Sequence, residues 1–481
     1  MHSFFQRLKY LFSLGLCCAA LVAATNRLWA EDHLVAVETP LDHYVAQPDS
    51  SYSWNLASTV PGSDLTTYAI DMTSQTWRPE NTDHPQWKHR IFIVKPKEVE
   101  YDTAFLYITG GSNRGEPPTL PDVLTAMLAR ETKSVVAELR MIPNQPLVFN
   151  GDGIRRSEDD LIAYTWDKVI TTGDPTWSAR LPMVKASVRA MDTIQAFLAS
   201  AEGGKLTINK FLVAGGSKRG WTTWLVGAVD NRVAAIVPAV IDVLNVQDSM
   251  THHFECYGFW AEAVGDYVRH KIMEKRNHPG YAALLKFEDP YNYLNRLTMP
   301  KFVVNAAGDQ FFCPTSSQFY WDKLQGEKYL RYVANAGHSL DGSDAPQSIE
   351  AFYVSILRNS PRPKFNWTFE PDGSIRVKTR DKPKEVKLWQ ATNPEARDFR
   401  VSTIGRAYKS SPVEAESEGV YIARASPPPQ GFTAYFVELT FDSGFKHPFK
   451  FTTGVRVTPD ELPFKGKLQQ AAGAAENAGS N

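Results

Sequence analysis

The run Ile208–Val229, INKFLVAGGSKRGWTTWLVGAV, sets the fold class of this chain. An apolar, strand-like stretch stops at two glycines and Ser217, and a helix-like segment starts at once. A serine on so tight a strand-to-helix corner has its hydroxyl thrust out at the carboxyl end of a sheet. The amide of the next residue, Lys218, then lies at a helix N-terminus, where it can donate to a developing oxyanion. Glycines suit such a corner because the turn is strained and the flanking elements approach closely. The pattern G-x-S-x-G is met before the serine at Gly215 but not after it. Arg219 stands where glycine is expected, and the glycine comes one residue late, at Gly220. The glycine and lysine spacing of a phosphate-binding loop is absent.

Outward from the corner, other short apolar runs take the same form. They are TAFLYITGG, SVVAELR, RVAAIVPAVID, PKFVVNAAGD and, more weakly, KYLRYVANAGH. Helix-like segments lie between them: RLPMVKASVRAMDTIQAFLAS with Pro182 near its start, SSQFYWDKL, and APQSIEAFYVSILRN. Buried strands alternating with helices predict a parallel sheet covered on both faces, a doubly wound α/β architecture. Strand-like runs in Ser51–Val99 precede it. Residues 246–299, long, aromatic and partly helical, interrupt the rhythm and are expected to cap the strand ends.

A nucleophilic serine needs a base and an orienting acid, which in the α/β-hydrolase order follow as acid and then histidine, each after a later strand. Asp309 directly follows PKFVVNAAG, and His338 lies in the glycine-flanked loop after KYLRYVANAG. The expected catalytic residues are therefore Ser217, Asp309 and His338. Asp242, which ends an earlier strand, is the rival acid. The second oxyanion amide is expected from the loop ITGGSNRG, at Gly111 or Ser112. Lys218 and Arg219 read as solvated cations or as contacts for an anionic substrate group, and Trp221 and Trp224 as core. His252, His253 and Glu255 offer too few ligands at suitable spacing for a metal, and no cofactor is expected.

The chain has 481 residues, is 43% hydrophobic, and carries a formal net charge of -1, so no basic field points to nucleic acid. Residues 1–30 show Arg7 and Lys9, a short apolar stretch, and small residues before Ala24 and Ala30. That is the order of a secretory signal peptide, too short for a membrane span. The expected location is secreted or periplasmic, with no stable span after cleavage. Cys17 and Cys18 would leave with the peptide, so Cys256 and Cys313 are the thiols that could form a bridge.

The hydrolase domain is expected over 31–360. After PRPK the character changes: FNWTFEPDGSIRVKT, KEVKLWQAT, RDFRVST, GVYIARA, GFTAYFVELTFDS and HPFKFTTGVRVTP predict a β-sandwich of immunoglobulin-like type over 361–462. A disordered tail is expected over 463–481.

The strings GGSKRGWTTWL, RMIPNQPLVF, AYTWDKVITTGDPTW, MPKFVVNAAGDQFFCP and NAGHSL together resemble the PhoPQ-activated pathogenicity-related protein family. The resemblance spans about Leu41 to Pro459. It implies an α/β-hydrolase domain with a smaller β domain, and a link to virulence and antimicrobial-peptide resistance. Relatives likened to dipeptidyl-peptidase-type serine peptidases point to peptide as well as ester substrates. The family's serine, aspartate and histidine fall on Ser217, Asp309 and His338. An exopeptidase would need an acidic group for the substrate ammonium, for which Glu255, Glu262 and Asp266 in the cap are available. The alternative class is a catalytically silent binding protein on the same scaffold.

Overall fold

The apolar runs form one sheet in a computed structural model that describes residues 33, 35 and 38–468. The expected signal peptide and residues 469–481 lie outside the described residues. Three strands come first: β1 (Ser53–Pro61), β2 (Leu65–Thr76) and β3 (Gln86–Pro96). Then follow β4 (Thr103–Ile108), β5 (Val136–Leu139), β6 (Lys210–Gly216), β7 (Val233–Ala239), β8 (Lys301–Ala306) and β9 (Lys328–Val333). Their spatial order is β1-β2-β3-β5-β4-β6-β7-β8-β9. The β1–β2, β2–β3 and β3–β5 pairs are antiparallel, and every later pair is parallel.

The apolar pattern explains this arrangement. β5 and β8 are buried at every residue, as a strand covered on both faces must be. Neighbouring residues within a strand go to opposite cores, because side chains alternate across a sheet. Leu106, Val213, Ile236, Val303 and Leu330 join the core under the helices Arg180–Ala199 and Lys218–Val229. Phe105, Leu212, Val237, Val304 and Tyr329 join the other core, under Val123–Thr132 and Ala345–Leu357. This is the α/β-hydrolase fold.

The insertion between β7 and β8 contains the helices Val246–Tyr257, Gly265–Arg269 and Pro279–Glu288. C-terminal to β9, two antiparallel sheets follow. One holds β10 (Phe365–Phe369), β11 (Ile375–Thr379), β14 (Ala415–Ser417) and β15 (Val420–Ala423). The other holds β12 (Glu385–Asn393), β13 (Lys409–Pro412), β16 (Phe432–Phe441), β17 (Phe449–Thr452) and β18 (Arg456–Thr458). Ile375 and Val377 of the first share a core with Val437 and Leu439 of the second, so the sheets pack as a sandwich. That core runs on into the main sheet. Phe451 stacks on Tyr329 at 4.3 Å, and Thr452 Oγ1 accepts the Tyr332 amide at 2.9 Å.

Three expectations change. RDFRVST is not a strand: the Val401 amide is drawn to the Gly308 carbonyl, and Val401–Ile404 forms one helical turn. SSQFYWDKL forms two 3-10 turns, Ser316–Phe319 and Trp321–Lys323, between which Tyr320 is committed to Asp242 while Trp321 stacks on Trp367. Residues 463–468, placed in the disordered tail, are packed. The Phe464 ring lies over Gly258, and Glu255 accepts the Phe464 and Gly466 amides.

Candidate functional site

Ser217 sits at the corner between β6 and the helix Lys218–Val229, at φ 56 and ψ −127. A non-glycine residue in this region costs about 1–3 kcal/mol and persists only where its surroundings hold it. The surroundings are explicit. The Ser217 amide donates to the Ala239 carbonyl of β7 at 2.9 Å. A Cβ on Gly215 would lie 2.6 Å from the Arg219 carbonyl oxygen, and one on Gly220 would lie 2.8 Å from that of Ala239. The late glycine is thereby explained: the helix crosses β7 at Gly220, so that is where a side chain is forbidden.

Arg219, at the position where the pattern expects glycine, does other work. Its guanidinium covers Gly110, where a Cβ would be 2.5 Å from Nη2. It pairs in a fork with Glu158, Nη1 donating at 2.8 Å and Nη2 at 2.6 Å. Lys218 Nζ contacts the same carboxylate at 2.7 Å and Asp159 at 3.2 Å. Burial pushes the Glu158 carboxyl up, but the Arg219 hydrogen bonds and the Lys218 charge outweigh it and hold it down at about 2. Neither cation is therefore a free solvated group.

Asp309 and His338 meet. Each Asp309 carboxylate oxygen is 3.0 Å from His338 Nδ1, and His338 Nε2 is buried without a hydrogen-bond partner among the described residues. Asp309 also accepts the Phe311 amide at 2.8 Å, and Gln310 accepts the His338 amide at 2.8 Å. The Phe311 ring lies 4.3 Å from the imidazole. Phe311 and Phe312 also wall a cavity of about 60 Å³ that opens on Ser217. Further walls come from the insertion, through Val246, Met250 and Tyr267, from the helix Glu158–Thr172, through Trp166, and from Arg180 and Trp221. The insertion is thus a cap over the corner. Asp242, the rival acid, is committed elsewhere: the hydroxyls of Tyr320 and Tyr332 donate to it at 2.7 and 2.5 Å. Burial raises its carboxyl to about 7.

The two loops expected to supply oxyanion donors differ. Lys218 is the first residue of its helix, so its amide has no helical acceptor. Gly111, at φ +142, packs over Met141, and its carbonyl accepts Gln145 Nε2 at 3.3 Å. Ser112 lines a separate cavity with His84, His89 and Asn144, not the one at Ser217. The set His252, His253 and Glu255 does not converge either. His253 Nε2 accepts the Ala261 amide, and Glu255 faces the Gly466 amide. Among the described residues Cys256 and Cys313 are free, buried thiols rather than a bridge.

A family model for the PhoPQ-activated pathogenicity-related protein matches residues 41–400. The chain belongs to that family. It is also 40% identical over 457 residues to autocrine proliferation repressor protein A of Dictyostelium discoideum, covering 89% of this chain and 92% of that protein. Among solved structures, an acetyl xylan esterase from Paenibacillus sp. R4 is similar with TM-score 0.45 and 15% identity, over 69% of this chain and 99% of that one. Acetyl xylan esterase 1 from a Thermoanaerobacterium species is similar with TM-score 0.47 and 15% identity, over 69% and 98%.

In this family member, several residues around the site had no signal in the sequence. Arg180 and Glu288 are both fully buried, with Nε 3.5 Å from Oε2. Arg180 also donates to the Lys218 carbonyl at 2.9 Å, and Trp166 Nε1 donates to Glu288 at 2.8 Å. This pair ties the cap helix Pro279–Glu288 to the helix that starts at Ser217. Val401, from the C-terminal region, touches both the acid and the histidine loops. A Cβ on Gly308 would lie 3.1 Å from Val401 Cβ, and one on Gly337 would lie 2.9 Å from its Cγ1. Tyr408 and Asn335 exchange hydrogen bonds beside them, at 2.9 and 2.8 Å. Only the requirement for glycine in AAGD and NAGH hinted at such close approaches.

Proposed function

We propose that this chain is a serine hydrolase that forms an acyl-enzyme on Ser217. His338 Nε2 takes the Ser217 proton as Oγ attacks the substrate carbonyl, and the carbonyl π electrons move onto oxygen. Asp309 holds the Nδ1 proton and stabilises the imidazolium. The Lys218 amide, with that of Gly111 as second donor, receives the oxyanion. The imidazolium returns its proton to the leaving group, and water then releases the acyl group by the same steps. The observation that carries this reading is the pairing of His338 Nδ1 with Asp309 at 3.0 Å while Nε2 has no partner among the described residues, with Phe311 and Phe312 packed both on this imidazole and in the cavity at Ser217.

The pocket favours esters of short acyl groups over an exopeptidase substrate. A cavity of about 60 Å³ walled by Trp166, Val246 and Met250 is far below the roughly 300–1,000 Å³ of sites for larger ligands. The carboxylates nearest the corner, Glu158 and Asp159, are already paired with Lys218 and Arg219. In the cap, Glu255 faces the C-terminal chain, Asp266 pairs with Arg269, and Glu262 is exposed. None is free at Ser217 to hold a substrate ammonium. The signal-like residues 1–30 support action outside the cytoplasm, and the family supports the link to virulence.

A second reading, a binding or signalling protein on a hydrolase scaffold, is favoured by the 40% identity to a protein named as a proliferation repressor. A fluorophosphonate probe separates the two. Labelling of the parent at Ser217, absent in Ser217→Ala and reduced at least tenfold in His338→Ala, supports the hydrolase. A folded parent that takes up no probe and cleaves no p-nitrophenyl acetate points to the binding protein.

A further inference from the structure

His252 and Cys256 stand four residues apart on the helix Val246–Tyr257, so they share one face of it. Cys313 reaches the same point from the chain just beyond Asp309. A ring nitrogen of His252 and the two Sγ atoms all lie within 4.8 Å of one another, and Nε2 is 3.4 Å from Cys256 Sγ. The three residues are only 6%, 3% and 2% exposed. Around a tetrahedral zinc ion, a nitrogen ligand and a sulfur ligand stand roughly 3.5 Å apart, which is the edge seen here. Imidazole and thiolate are also the donors that soft and borderline transition ions select.

From this geometry we propose that His252, Cys256 and Cys313 bind one zinc ion. Arg397, itself 4% exposed, places Nη1 3.9 Å from Cys256 Sγ, as an outer partner that donates to a metal-bound sulfur. Its other contacts are the Glu461 carbonyl at 3.1 Å and Asp460 at 3.9 Å. Thr315 Oγ1 lies 2.7 Å from His252 Nε2, a hydrogen bond that a metal on that nitrogen would replace. A cavity of about 370 Å³, bordered by His252, Thr315 and Arg397, supplies an entry path and room for a water as fourth ligand. Neither cysteine nor His252 lines the Ser217 cavity, so the ion would stand apart from the Ser217 chemistry. It would clamp the helix that carries Val246 and Met250 to the loop that carries Asp309.

The test is independent of hydrolase activity. The purified full chain is incubated with zinc, dialysed against metal-free buffer and analysed by inductively coupled plasma mass spectrometry, beside Cys313→Ser and His252→Gln, with circular dichroism checking the fold of each. The expected result is one zinc per parent chain and less than a tenth of that in each variant. The cobalt-loaded parent should show sulfur-to-cobalt charge-transfer absorption that both variants lack. His252→Gln keeps both thiols, so it carries the test if Cys313→Ser does not fold. The proposal fails if the parent retains no zinc, if the folded variants retain as much as the parent, or if intact mass shows the parent two hydrogens lighter, joined Cys256 to Cys313.

Discussion

Gly220→Ala should damage both stability and the placing of Ser217, the proposed nucleophile, whereas Gly216→Ala, four residues earlier, should be nearly silent. The new methyl at Gly220 would lie 2.8 Å from the Ala239 oxygen and 2.9 Å from the Gly215 oxygen, about 0.6 and 0.5 Å short of an ordinary 3.4 Å contact. Both oxygens belong to backbone in β7 and β6 and cannot rotate away, so the helix start must lift by about half an ångström. Overpacking of this kind costs about 1–3 kcal/mol. Alanine recovers about 1 kcal/mol through its higher helix propensity, leaving a net loss of up to roughly 2 kcal/mol. The lift also moves Ser217, and misplacement on this scale costs about tenfold or more in acyl transfer. At Gly216 the nearest atom would be Val240 Cγ2 at 3.8 Å, an ordinary contact. Melting temperature and the rate of fluorophosphonate labelling read the two effects. Equal stability of the two variants, or a greater loss at Gly216, would refute the steric account of the corner.

Asp242→Asn should stabilise the protein at neutral pH. With its carboxyl raised from 3.8 to about 7 by burial, the folded state holds a proton that the unfolded chain releases, so the penalty grows as pH rises from about 4 to about 7 and then levels off. Denaturant titrations of parent and variant at pH 4 and pH 8 should show a gap only at the higher pH. For Glu158 the sign is reversed. Its carboxyl is depressed from 4.5 to about 2, so its contribution is present above about pH 4.5 and fades as pH falls toward 2. Arg219→Ala should therefore move the acid-unfolding transition, followed by circular dichroism, to higher pH. Val401→Ala removes the methyl against Gly337 while keeping the Cβ against Gly308, and is expected to lower kcat for p-nitrophenyl acetate about tenfold with KM little changed. Removal of the chain after Arg362 should abolish labelling at Ser217 as well, because the Asp309 and His338 loops lose their support.

Much of this protein was legible locally. Continuous apolar runs such as KFVVNA mark strands buried on both faces, since only a doubly covered strand tolerates apolar residues at every position. The glycines and serine of GGSKRG mark the corner, because few other residues fit its backbone. Asp309 and His338 could be named from their places after successive strands. What no local pattern carried was partnership across the chain. The choice of Asp309 over Asp242 rests on two tyrosine hydroxyls, 78 and 90 residues from Asp242, that claim the rival carboxylate. The Arg219 fork to Glu158 spans 61 residues, and the contact of Val401 with Gly308 and Gly337 joins the C-terminal region to the site. Periodicity and turn chemistry act over a few residues and so can be read from sequence. Which charge neutralises which, and which side chain fills a glycine's gap, depends on distances that exist only once the sheet has brought remote segments together.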